Sequence, residues 1–555
     1  MFTLHAHSNY SLLQGVITID DLITFAQKSG SPYVALTDTN GMHGLIQFAK
    51  KAEEKNIKPI LGAWIDNPDD KEINSIFLAK NNKGYSELCK IITSRKLKDD
   101  FSLISLINEL PDNFFILTSS LKLLRQLTLN SKLRKNLYVE LMVTEKLKEH
   151  TRKLYNYARK TNLQIVATHP AYFLSPQDFL LYKTVTAIRL NTTIQNLDED
   201  DLVDPEFSLK TPHELQAIWK ALPEAIWNAD FIAKQCNVNL KFGQYKFPAF
   251  PLPKNESAFS YLWKIAFRGL ENRYKPITDK AVKRLQYELE VIDDLGYSDY
   301  FLIVWDIVRE AHKRNMLTVG RGSAADSLVA YCLGLTQVDP VKHNLYFERF
   351  LNRGRKSPPD VDIDFSWKER DEIVKYVFEK YGYDHVAMIS TTVTFRARSA
   401  FRETAKVFGI SEQEITKFTK LIPWTSAKNL LYLTQNFPET KSLKLNIEPW
   451  KMIVRVASKL AGFPRHNSIH PSGIVITKKP IINYIALEYA KNKGLGLIVT
   501  QPDMYSVENM GLVKIDLLSQ RSLGVLRDTL ETISSLSYVK TKVTKIFSLN
   551  STDIL

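Results

Sequence analysis

Residues 357–365 read Ser-Pro-Pro-Asp-Val-Asp-Ile-Asp-Phe, and no other stretch narrows the possible folds of this chain as much. Asp360, Asp362 and Asp364 alternate strictly with Val361, Ile363 and Phe365. Successive side chains of a strand point to opposite faces, so the carboxylates share one face and the apolar side chains the other. Three like charges this close repel. They are tolerated on the solvated face of an edge strand, or around a divalent cation such as Mg²⁺, which prefers carboxylate oxygens together with substrate phosphates. The neighbouring motifs favour the second reading.

Upstream, Leu-Thr-Val-Gly-Arg-Gly-Ser at 317–323 precedes a run at 324–335 with helical character, so the expected order is strand, glycine turn, helix. Gly320 and Gly322 let backbone approach a phosphate, and Arg321 and Ser323 add a cation and a hydroxyl near a helix N-terminus. Downstream, residues 511–518 form a short apolar run in which Lys514 and Asp516 stand two apart, hence on one face. A further carboxylate and a cation would complete a site. Metal ions held by carboxylates can clamp the attacking and leaving oxygens of an in-line phosphoryl displacement.

Taken in order, GRGSAADSLVAY, FERFLNRGR, PPDVDIDF, HPSGIVI and GLVKIDLL resemble the C-family replicative DNA polymerases of bacteria, the DNA polymerase III alpha subunits, and the likeness runs from residue 1 to about 530. The resemblance implies that Asp362, Asp364 and Asp516 bind two Mg²⁺ ions, with Asp360 at an extra acidic position. It also implies that Gly320, Arg321, Gly322 and Ser323 receive the triphosphate of a dNTP, and that Lys514 neutralises developing charge or positions the primer end. Primer–template DNA would be the partner, together with a C-terminal polymerase half or other replisome subunits.

Composition agrees with a multidomain globular protein: 555 residues, 44% hydrophobic and 24% charged. Lys and Arg number 74 against 60 Asp and Glu, a formal charge of +14 and a pI near 9.2, which favours a polyanionic partner. The three cysteines, Cys89, Cys236 and Cys332, show no CxxC spacing, so neither a disulfide framework nor a thiolate zinc site is expected. With no signal-peptide pattern and no apolar run of membrane-spanning length, a soluble cytoplasmic protein without membrane contact is expected.

Residues 1–235 alternate strands and helices: strands at 2–5, 33–37 and 59–64, helices at 19–29 and 44–55. His5, His7 and Asp38 would lie at strand C-termini, where barrel folds build their sites. The resemblance here is to the polymerase and histidinol phosphatase (PHP) domain, a distorted β/α barrel whose active members hold a metal cluster and hydrolyse phosphoesters. This copy departs from that pattern at Thr39, Trp64, Pro170, Tyr172 and Tyr182, leaving His5, His7, Asp38 and His169 as a degenerate site. A PHP-type phosphoesterase or 3′–5′ exonuclease is the alternative enzyme class.

A proline-rich linker spans 236–257, followed by helices at 258–274, 278–295 and 301–314, a further helix at 369–381 and a strand at 385–389. The expected architecture is α/β multidomain: the barrel at 1–235, a mixed-sheet palm at 258–405 and 471–530, and a helical thumb inserted at 406–470. Arg396, Arg398 and Arg402 present either a solvated basic face or contacts to a DNA backbone. Residues 531–555 read as a truncated tail leading toward the fingers of the family, which leaves a third alternative, a non-catalytic DNA-binding half of a split polymerase.

Overall fold

The computed structural model describes residues 2–128, 130–355, 358–490 and 497–535. Ser357 and most of the tail expected from 531 onward lie outside that range. The fold is α/β and multidomain, and the chain divides into two compact units: residues 1–242, 390–468 and 482–506 in one, and 243–389, 469–481 and 507–555 in the other.

In the first unit six strands form one sheet in sequential order, β1 (Tyr33–Leu36), β2 (Lys58–Asp66), β3 (Asn74–Ala79), β4 (Phe114–Thr118), β5 (Leu137–Met142) and β6 (Gln164–Thr168). Pairing is parallel at β1/β2, β4/β5 and β5/β6 and antiparallel at β2/β3 and β3/β4. The strand expected at 2–5 does not form a ladder. Instead Ala6 makes an isolated bridge to Ala171, while the Thr37 N–H donates to the Ala6 carbonyl at 2.8 Å. These few bonds seat the segment between the ends of β1 and β6, with Phe2, Leu4 and Ala6 fully buried. The helices follow local rules. Ile19–Lys28 starts at Thr18, whose hydroxyl accepts from the Asp21 N–H; Asp20 and Asp21 sit at its positive end and Lys28 at its negative end, while Leu22, Ile23 and Ala26 are buried.

The same unit contains helices Ala397–Val407, Glu412–Leu421 and Trp450–Lys459. Phe401, Phe418 and Trp450 stack among them, Phe418 on Trp450 at 3.9 Å between centroids. This aromatic stack belongs to one apolar core with Phe173, Leu181, Val185 and Phe207, so the helices continue the hydrophobic core of the N-terminal domain.

The second unit holds helices Ala258–Arg273, Asp279–Asp294 and Ser298–Lys313, close to the periodicity-based expectations. The single helix expected at 324–335 is instead a 3-10 turn, Gly322–Asp326, followed by a short helix, Leu328–Cys332. The break falls at Ser327, whose hydroxyl caps the Ala330 N–H and so starts a new helix. The remaining strands are β7 (Thr318–Arg321), β8 (Asp362–Ser366), β9 (Val386–Thr394), β10 (Pro464–Ile476), β11 (Leu487–Tyr489), β12 (Ile498–Asp503) and β13 (Lys514–Gln520). The boundary between units falls within β9 and within β10. In the second unit β10, β13, β8 and β7 lie side by side in that order. Among the described residues no helix is long and apolar enough to cross a membrane.

Candidate catalytic site

The carboxylate row occupies the middle of this sheet. β8 pairs in parallel with β13, placing Asp362 opposite Asp516, and antiparallel with β7, placing Arg321 opposite Asp362. Directly paired residues share a face, so Asp362, Asp516 and Arg321 project together, joined by Lys514 two residues before Asp516. Beneath this face Val361, Ile363 and Phe365 are fully buried. The alternation read from the sequence therefore does what it must: one set of side chains anchors the strand and the other forms the site.

Among the described residues, one group of at least three His, Cys, Asp or Glu side chains brings its ligand atoms within 4.8 Å of one another: Asp360, Asp362 and Asp516. Asp364 stands apart from that group. It is opposite Leu518, one pleat farther along β8, where its Oδ1 accepts from Gln520 at 3.3 Å and lies 3.5 Å from the Arg321 Nε. Two residues of strand advance about 6.6 Å, so Asp360 and Asp364 flank Asp362 on opposite sides, and Asp516 sits where it meets the first of them.

Charges around the group are partly balanced. Lys514 Nζ is 2.6 Å from Asp516 Oδ2, and Ser472 donates to Asp516 Oδ1 at 2.7 Å. Burial works against a charged Lys514, but the hydrogen bond to Asp516 and the nearby carboxylates outweigh it and raise its pKa. Asp362 is shifted upward, by burial first and then by Asp360 and Asp516, with Arg321 and Lys514 opposing. The part of that shift owed to Asp360 and Asp516 is like-charge repulsion, which a divalent cation would relieve.

The two glycines of the 320–323 turn have different reasons to be there. A Cβ on Gly320 would lie 1.9 Å from the Leu335 carbonyl oxygen, so this glycine permits close backbone packing. Gly322 has φ +71 and open space around it, the left-handed conformation of a tight turn. Ser323 follows within the 3-10 turn.

In the first unit, His5 and His7 meet Nε2 to Nε2 at 2.9 Å, and His5 Nδ1 is 2.8 Å from Glu140 Oε1. His7 stacks on Tyr172 at 4.1 Å with Trp64 edge-on, and its Nδ1 is 3.1 Å from the Thr39 hydroxyl. Asp38 accepts from the Ser8 N–H and hydroxyl and from the Ser11 hydroxyl; burial raises its pKa. His169 turns elsewhere, its Nε2 3.0 Å from the Glu206 carbonyl. Thr39, Trp64 and Tyr172 thus occupy the surroundings of His7, and the Ser11 hydroxyl, 3.4 Å from His7 Nδ1, links the His5–His7 pair to Asp38, while His169 lies apart. The sequence alone does not point to Glu140, a lone acid in the run Leu-Tyr-Val-Glu-Leu-Met of β5.

The basic residues of the helical region are partly engaged within the protein. Arg398 Nε donates to the Ile422 carbonyl, and Arg402 pairs with Glu412 while reaching the Thr416 and Thr419 hydroxyls at 3.4 and 3.3 Å. Arg396 precedes the helix at its N-cap and is exposed.

Comparison with known proteins places these features in a family. Residues 3–130 match the PHP domain, and residues 260–519 match the bacterial DNA polymerase III alpha NTPase domain. Over 98% of its length the chain is 34% identical to the DNA polymerase III subunit alpha of Bacillus subtilis, covering 50% of that protein. It is 33% identical to the error-prone DNA polymerase of Symbiobacterium thermophilum over 96% of this chain and 52% of the relative. A DNA polymerase III subunit alpha from Borreliella burgdorferi is 34% identical, with 96% and 49% covered. The chain spans about half the length of the curated relatives it matches. With a PHP domain ahead of a polymerase III alpha domain, and likeness running along nearly its whole length, the chain belongs to the bacterial DNA polymerase III alpha family.

Proposed function

We propose that the carboxylate face of β8 and β13 is the nucleotidyl-transfer site of a DNA-directed DNA polymerase, acting on primer–template DNA and a deoxynucleoside triphosphate. The observation that carries this reading is the convergence of Asp360, Asp362 and Asp516 within 4.8 Å, beside Lys514 and Arg321. Hard carboxylate oxygens in this number suit Mg²⁺, and the repulsion of Asp362 by Asp360 and Asp516 supports a cation among them. Bound there, two Mg²⁺ ions would stabilise the attacking and leaving oxygens of the displacement.

The protein's own groups divide the remaining work. Asp362 and Asp516, paired across adjacent strands, supply the shared ligands, and Asp360 supplies the third. Arg321 Nε lies 3.8 Å from Asp362 and 3.5 Å from Asp364, offsetting their repulsion before substrate arrives. A triphosphate offers this guanidinium a stronger partner, and its transfer to phosphate releases Asp364 toward the metal site. Lys514, held by Asp516, keeps a positive charge where the primer 3′-oxygen approaches. The exposed Arg396, together with Arg398 and Arg402 on the helix that follows it, is our candidate contact to the DNA backbone.

Single-nucleotide incorporation on a primed template tests the assignment. Asp362→Asn and Asp516→Asn keep side-chain shape but lose charge, and each should remove incorporation while circular dichroism stays unchanged. Incorporation surviving in Asp516→Asn would reject this site. DNA binding without incorporation in the wild-type protein, even when the regions found in its longer relatives are supplied, would favour a non-catalytic DNA-binding role.

A further inference from the structure

Four residues at and beyond the end of the glycine turn, Asp326, Ser327, Val329 and Leu345, are tied to an ion pair that the proposed chemistry does not use. Glu288, on helix Asp279–Asp294, is fully buried. Its Oε1 takes a 2.7 Å bond from Arg284 Nε, one helical turn earlier. The other oxygen, Oε2, accepts from the Ser327 hydroxyl at 2.8 Å and the Val329 N–H at 3.0 Å. Arg284 also donates to backbone, Nη2 to the Asp326 carbonyl and Nη1 to the Leu345 carbonyl, both at 2.8 Å.

Three of these bonds, to Asp326, Ser327 and Val329, fall at the end of the 3-10 turn Gly322–Asp326 and the start of the next helix. At the other end of the turn, Gly320 is pressed against the Leu335 carbonyl. The turn that carries Arg321, Gly322 and Ser323 is therefore held at both ends. Burying the Glu288 carboxylate is costly even with the half-buried Arg284 beside it, and such a pair is a poor device for stability alone, since apolar side chains of similar volume serve as well or better. Its distinctive property is directional: a planar fork fixes two carbonyls and a carboxylate at once.

We infer that Arg284 and Glu288 are positioning residues that hold the 321–326 turn, and with it Arg321, in place to receive the triphosphate. This inference rests on the proposed nucleotide site. Neither residue touches the carboxylate group or the substrate; they act through the turn.

The test is the equilibrium Kd of a matched dNTP on a dideoxy-terminated primer–template, which reads binding without chemistry. Glu288→Gln should weaken dNTP binding about tenfold while leaving the Kd for the primer–template alone unchanged. In an Arg321→Ala background the same substitution should add nothing, because the group being positioned is gone. An unchanged dNTP Kd in Glu288→Gln overturns the inference, as does the full tenfold loss appearing on top of Arg321→Ala. Should Glu288→Gln fail to fold, Arg284→Lys carries the same prediction, since it keeps the charge but loses the fork. If the wild-type protein binds no dNTP, the nucleotide site itself is refuted and the inference falls with it; a wild type that binds dNTP beside an unaffected Glu288→Gln refutes the positioning role alone.

Discussion

Replacing Asp362 by Asn should stabilise the metal-free protein while removing its function. Two unit charges 4.8 Å apart, the limit observed within the Asp360–Asp362–Asp516 group, repel by about 0.9 kcal/mol in water and about 3.5 kcal/mol at an effective dielectric of 20. Asp362 is partly exposed, and Arg321 is close by, so screening and that contact leave about 1 kcal/mol of net relief. Its sign follows from linkage. The pKa of Asp362 is raised in the fold, so its ionisation costs stability as pH rises from the unfolded carboxylate value through the folded one. The substitution should thus raise the melting temperature by about 2–4 °C near neutral pH, for a unit of about 200 residues, and by nothing in acid where the wild-type group is already protonated. Scanning fluorimetry with chelator present measures this directly. Adding Mg²⁺ should raise the wild-type melting temperature and leave Asp362→Asn unmoved. A melting temperature lowered by Asp362→Asn in chelator, or equal Mg²⁺ responses in the two proteins, would refute the reasoning.

Gly320→Ala would place a methyl 1.9 Å from the Leu335 carbonyl oxygen, and its urea midpoint should fall by the equivalent of about 1–3 kcal/mol; an unchanged midpoint would contradict the packing account. Glu488 is held down to about 2: burial opposes its charge, but His43 at 3.3 Å and the hydrogen bond from Asn467 prevail. It contributes stability above the unfolded carboxyl pKa that is lost as pH falls through the interval down to about 2, so Glu488→Gln should flatten the acid limb of the stability profile, and an unaltered limb would count against the pair. For the His5, His7 and Glu140 group, elemental analysis of chelator-washed and metal-reloaded protein should find no tightly bound multinuclear cluster in the N-terminal domain. Phosphoesterase activity lost in His7→Ala yet kept in Asp364→Asn would reverse that expectation.

What could be read from the sequence followed from periodicity and what could not followed from partners. Helices such as Ala258–Arg273 and Ser298–Lys313 were legible because their apolar stripes recur with a period of 3.6. The helix expected over 324–335 was not, because its break depends on Ser327 capping a new helix, with Glu288 holding that hydroxyl from a distant helix. Strict alternation showed that Asp360, Asp362 and Asp364 share a face, but not which of them meet Asp516. That choice is made by the register of β13 against β8. Gly320 looked like a phosphate-approach glycine, and the Leu335 carbonyl that gives it a packing role is 15 residues away. Glu140 escaped notice because one acid in a strand carries no pattern; only the fold brings it to His5.

The central claim is that Asp362 and Asp516 jointly hold a divalent cation for nucleotidyl transfer. Anomalous diffraction from the protein bound to dideoxy-terminated primer–template, a matched dNTP and Mn²⁺ in place of Mg²⁺ tests it most directly. The account predicts an anomalous peak in contact with carboxylate oxygens of both Asp362 and Asp516 and with the nucleotide phosphates. Bound nucleotide with no manganese between those two aspartates, or manganese confined to His5 and His7, would contradict it.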